Sequence, residues 1–125
     1  MTAELAHRAA AGDRDPVVLD WITDAMRRHL AGDDLEHALG LDRTSRLRER
    51  NEALQAAADL LDDGNGPWRT ACRLQAAIRR YEARIRPLLD RDPTMSLPPI
   101  DQALRRACSA GRVPKTARNI YELIR

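Results

Sequence analysis

The chain has 125 residues, 43% hydrophobic and 32% charged, with aromatics at 3% and no Phe, which suits one soluble domain with a core of Leu, Ile and Ala. No apolar run approaches the roughly 20 residues of a membrane span, and the start Met1-Thr2-Ala3-Glu4-Leu5-Ala6-His7 has neither a basic nor an apolar leader region, so a cytoplasmic protein without a membrane partner is expected. Charge is uneven along the chain: residues 1–63 hold 8 Arg against 14 acidic groups, net −6, and residues 64–125 hold 13 basic against 5 acidic groups, net +8.

In chain order, the Ala-rich stretch at 2–11, ended by Gly12, reads as a short helix or a frayed lead-in. Val17, Val18, Leu19, Trp21, Ile22, Ala25, Met26, His29 and Leu30 recur at steps of three and four after Asp15-Pro16, an N-cap and first-turn pair that starts an amphipathic helix. Asp33-Asp34-Leu35-Glu36 opens a short helix that Gly40 closes. A long helix follows over 43–61, its apolar line running through Leu47, Leu54, Ala58 and Leu61.

Asp62-Asp63-Gly64-Asn65-Gly66 is the clearest break, and residues 62–67 form a candidate hinge. Pro67-Trp68 restarts a helix that runs to about residue 86, where Pro87 kinks or ends it, and residues 90–94 read as loop. Pro98-Pro99 opens a helix carrying Ile100, Leu104 and Ala107, with Gly111 as its C-terminal cap, and Pro114 opens the last one, with Ala117, Ile120, Tyr121 and Ile124 inward. No segment alternates with period two. The expectation is an all-α, compact single-domain bundle of five to six short-to-medium helices over residues 1–125.

The helix from Pro67 carries the most quantitative functional signal. At about 100° per residue, Ala71, Leu74, Tyr81 and Ile85 fall within roughly 60° of Ile78, whereas Arg69, Arg73, Arg80 and Arg84 fall between roughly 180° and 240°. The four arginines span about 22 Å along one stripe. Guanidinium groups bind phosphates bidentately, so such a stripe suits a nucleic-acid backbone. An ordinary charged outer face competes with this reading, because 20 of the 21 basic residues are Arg, as in a GC-rich bacterial genome.

A second signal is helix-turn-helix-like. Ala107, Gly111, Val113 and Pro114 precede Lys115, Thr116, Arg118 and Asn119, which would place those four side chains at a recognition-helix start, with Arg suited to guanine and Asn to adenine. Arg112 and Val113 leave one surplus residue in the turn, and an ordinary helical corner remains the competing account. A rival copy of the outline, Leu35 to Gly40 followed by Arg43 to Asn51, lacks the small residue that close contact between the helices wants.

Signs of catalysis are sparse. His7, His29 and His37 have no His or Cys at i+3 or i+4, and Cys72 and Cys108 stand apart, so no metal, cofactor or small-molecule substrate is implied. His29 reads as a core-edge residue and Trp21 and Trp68 as core anchors, with an exposed tryptophan pair marking a partner surface instead. Two functions of different class follow: a nucleic-acid-binding or regulatory protein using the Arg-rich C-terminal half, and a non-catalytic protein-interaction module whose oppositely charged halves meet complementary surfaces on a partner or a second copy. They separate on whether Asp20, Asp24, Asp33 or Asp34 ties up the C-terminal basic groups.

Overall fold

A computed structural model describes residues 2–125 and contains helices and no β-strand among them. The segments are α1 (Thr2–Ala10), α2 (Pro16–Leu30), α3 (Leu35–Ala38), α4 (Arg43–Leu61), α5 (Pro67–Arg80), a π-helical turn (Tyr81–Ile85), α6 (Arg86–Arg91), α7 (Pro99–Ala110) and α8 (Ala117–Ile124). The single turn of α3 aside, and with α5, the π-turn and α6 counted as one continuous helix, this is the expected all-α bundle.

Local chemistry sets the helix starts. Asp15, Asp34, Asp42 and Thr116 each accept a hydrogen bond from a backbone N–H in the first turn, which satisfies a donor the helix leaves free. α5 begins differently. Gly66 occupies its N-cap with φ 95°, a conformation other residues resist, and Pro67 supplies a preset φ for the first turn.

Two expected boundaries move. Pro87 does not end the helix, because the chain widens into a π-turn in which the Arg86 N–H bonds the Tyr81 carbonyl, five residues back. Pro87 lacks an N–H and its ring crowds the carbonyl four residues earlier, and a wider turn relieves both. The helix then continues as α6 to Arg91, across part of the expected loop. Pro114 does not open the last helix either. The chain from Gly111 stays non-helical until Thr116 caps α8, and Gly111 itself is extended at φ 176° rather than left-handed.

The main core joins α4, α5, the π-turn, α6, α7 and α8. Leu54, Leu74, Leu104 and Ile120 are fully buried and supply its bulk, while Ala53, Ala57, Ala58, Ala71, Ala103 and Ala107 keep the helices close. α4 lies along α7 and α5 along α8 as the two most extensive helix pairs. Truncating Leu54 or Leu104 to Ala is expected to cost about 2–5 kcal/mol.

The N-terminal helices attach at the side. α1 lies on α7, and α2 contacts α1 and α3, burying Ala3, Val18, Ala25 and Ala38 outside the main core. Polar ties hold this layer: Thr2 Oγ1 donates to Glu49 Oε2 at 2.7 Å, Trp21 Nε1 to the Leu39 carbonyl at 3.2 Å and Arg28 Nη2 to the Ala38 carbonyl at 2.9 Å. Gly40 takes φ 71° where the chain passes Thr2, and a Cβ there would sit 3.1 Å from the threonine methyl. No helix among the described residues is long and apolar enough to cross a membrane.

Candidate interaction surfaces

Arg69, Arg73, Arg80 and Arg84 are all exposed, on the outer side of the helix as the wheel predicts. Two of them are engaged within the fold. Arg73 Nη1 donates to the Leu61 carbonyl at 2.6 Å and lies 3.1 Å from Asp63 Oδ2, closing the turn between α4 and α5. Arg80 Nη2 reaches both carboxylate oxygens of Asp101, at 3.2 and 3.4 Å. Asp101 is 1% exposed in the first turn of α7, so Arg80 neutralises a carboxylate that would otherwise be buried alone. Among the described residues Arg69 and Arg84 form no ion pair.

The C-terminal candidates are likewise divided. Lys115 pairs with Glu82 of the π-turn, and its carbonyl accepts from Gln75 Nε2 of α5 at 3.0 Å. Thr116 Oγ1 accepts from the Asn119 N–H at 3.2 Å as the cap of α8. The side chains of Arg118 and Asn119 remain exposed. α8 lies along α5, and six non-helical residues, 111–116, separate it from α7, so the two do not make the tight corner of a helix-turn-helix. In the rival copy, α3 is a single turn of four residues.

The acids that engage these basic groups are Asp63, Glu82 and Asp101. None is among the four N-terminal aspartates weighed from the sequence. Asp24 instead pairs with Arg28 at 3.5 Å. Among the described residues Arg73–Asp63 is the one ion pair between the acidic and basic halves, so folding leaves the charge asymmetry in place.

Carboxylates near helix ends are held below their usual range. The Arg8 side chain does this for Asp13, Ser45 for Asp42, and Asn65 followed by Arg73 for Asp63. Burial acts oppositely on Tyr81, pushed up to about 12, and on the Cys108 thiol, also raised.

A depression of about 520 Å³ is lined by His7, Tyr81, Arg86, Asp90, Arg105 and Cys108, among others. It brings together a thiol and an imidazole, the pair that nucleophilic catalysis uses. The thiol is shifted the wrong way for a nucleophile, and Cys108 makes no hydrogen bond to His7 among the described residues. Among those residues no three His, Cys, Asp or Glu side chains form a group able to hold a metal ion.

The surface that composition and motif reading missed lies on α2. With Val18 set to zero on a wheel of about 100° per residue, Val18, Trp21, Ile22 and Ala25 fall within roughly 60° of it, the side facing the domain, while Leu19, Met26 and Leu30 cluster near roughly 80° to 120°. These three are 48%, 41% and 85% exposed. His29, expected at the core edge, is exposed with Nδ1 2.9 Å from the Asp33 carbonyl. The helix therefore has a covered apolar stripe and an uncovered one. Both produce steps of three and four in the sequence, so periodicity alone merges them.

Trp68 is no buried anchor. It is 53% exposed at the start of α5, with its ring edge-on to Tyr121 of α8 at 5.7 Å. Trp21 is half-buried and held by its indole N–H, so the two tryptophans do not form one exposed pair.

Comparisons with protein-family models, curated proteins and solved structures find no match to this chain.

Proposed function

We propose that the chain is a non-catalytic protein-interaction module whose principal docking face is the outer side of α2. The observation that carries this reading is the row of Leu19, Met26 and Leu30, uncovered on one helix while a separate stripe of the same helix holds it to the domain. Covering these three side chains is favourable by about 25 cal/mol per Å² of apolar surface removed from water, and their alignment on one helix lets a single partner surface cover all three. Asp20 and Arg27 border the row as an exposed polar rim, the arrangement of an interface edge, and Thr23 stands within the row between Leu19 and Met26.

The test is size-exclusion chromatography of the tagged chain, loaded both as purified protein at about 500 micromolar and in extracts from cells that express it. Wild type is expected to elute well above its 14.1 kDa, and a Leu19→Ser/Met26→Ser/Leu30→Ser variant to elute as a monomer with an unchanged circular dichroism spectrum. Elution of wild type as a monomer throughout would overturn the reading.

A second reading, nucleic-acid binding by the C-terminal half, is favoured by Arg69, Arg84 and Arg118, which are exposed and free of ion pairs among the described residues. Since Arg73 and Arg80 hold the fold together, its test uses an Arg69→Glu/Arg84→Glu variant on a labelled duplex at several salt concentrations. Binding that weakens steeply with salt and drops in the variant supports this reading. Absence of binding at low salt removes it.

A further inference from the structure

Resting on α2 as a docking face, we infer that its occupant is a second copy of this chain, laid antiparallel so that two α2 helices form one symmetric seam. The argument comes from charge order along the helix. Leu19, Thr23, Met26 and Leu30 follow at steps of four, three and four, the spacing of a two-helix seam. Asp20 and Arg27 lie seven residues apart on one flank of that seam, both exposed and both without an ion pair among the described residues. The opposite flank carries half-buried Ile22 and exposed His29 and no carboxylate, so it offers no acid–base pair, and only the Asp20 and Arg27 flank can exchange opposite charges with a second copy.

In an antiparallel pair, like flanks face each other with their order reversed. Leu19 then meets Leu30 of the second copy, Thr23 meets Met26 of the second copy, and Asp20 meets Arg27 of the second copy. A two-fold axis between Asp24 and Ala25 generates each contact twice. The face is thus complementary to itself in residue order and charge, as a symmetric dimer requires. A parallel pair would set Asp20 and Arg27 beside the flank of Ile22 and His29, with no opposite charge to meet. A partner chain of unrelated sequence needs no such self-complementarity.

The seam from Leu19 to Leu30 spans about 17 Å of helix, short beside the ~800 Å² per partner of a standard interface, so association is expected to be weak and is sought at about 10–500 micromolar protein.

Sedimentation velocity of the purified protein across that range tests the inference with charge exchange as the readout. Wild type is expected to move from one chain toward two as concentration rises. Asp20→Arg alone, or Arg27→Asp alone, places like charges across the seam and is expected to weaken association by about tenfold or more. The Asp20→Arg/Arg27→Asp double variant restores it, and so does an equal mixture of the two single variants, whose charges complement each other across a mixed pair. These positions are exposed, so the variants are expected to keep the wild-type circular dichroism spectrum. Purified wild type that stays monomeric throughout, or single variants that associate as wild type does, would overturn the inference. If purified wild type is monomeric but runs large in cell extracts, and the triple serine variant does not, the docking face stands and its occupant is another protein.

Discussion

Arg80 joins the helix expected to touch nucleic acid to a carboxylate inside the bundle: its Nη2 lies 3.2 Å from an oxygen of Asp101, whose side chain is 1% exposed. The guanidinium itself is half in solvent. The pair clips α5 to the first turn of α7, and it gives the middle of the arginine stripe a structural task before any ligand is considered.

Removing either partner is therefore expected to destabilise the fold. Arg80→Ala leaves Asp101 buried without its counter-charge and should cost about 1–2 kcal/mol, less than a fully buried pair because water screens the exposed arginine. A urea double-mutant cycle with Asp101→Ala measures the coupling. Additive single effects would show that the contact contributes nothing specific.

Stability should fall at both ends of the pH scale. Asp13, Asp42 and Asp63 have folded-state carboxyls held low by Arg8, Ser45 and Asn65 respectively. A lowered carboxyl contributes stability that is complete above its unfolded value and is lost as pH drops through the folded one, so the melting temperature should fall below about pH 4. Tyr81 behaves in the opposite sense. Its phenol, raised to about 12, contributes stability that is complete below the unfolded value of about 10 and is lost on alkalinisation. Thermal melts across pH check both limbs, and Tyr81→Phe should soften the alkaline one.

The two thiols should separate by reactivity. Cys72 is exposed, whereas Cys108 is partly covered and burial raises its thiol. A disulfide reagent at neutral pH is expected to modify one thiol fast and the other slowly, with the fast phase absent from Cys72→Ser. A fast phase that survives this substitution would contradict the placement of Cys108.

Much of the fold was legible because caps and periodicity are local. Asp15-Pro16, the break at Asp62–Gly66 and the Pro98-Pro99 start mark helix ends with side chains that act within one turn of chain. The helix end offered as one outcome at Pro87 and the helix start expected at Pro114 failed for one reason. Proline reports what its own nitrogen cannot do, whereas the outcome depended on a wider turn at Tyr81 and on a better cap at Thr116.

The candidate surfaces were less legible. A helical wheel places Arg80 outward but says nothing of a carboxylate arriving from α7. Steps of three and four likewise merge Leu19, Met26 and Leu30 with the core stripe, since only tertiary structure decides which apolar stripe of α2 is covered. Leu30, at 85% exposed, is the largest such discrepancy.

The central claim is that the outer face of α2 is where this chain meets its partner. Photo-crosslinking tests it most directly, with a benzophenone side chain at position 30, and at position 60 as a control, because Leu60 is also exposed but lies on α4. The account predicts a covalent protein adduct from position 30 and little from position 60, with the adduct from position 30 lost when Leu19 and Met26 become Ser. Equal adducts from both positions, or none from position 30, would contradict it.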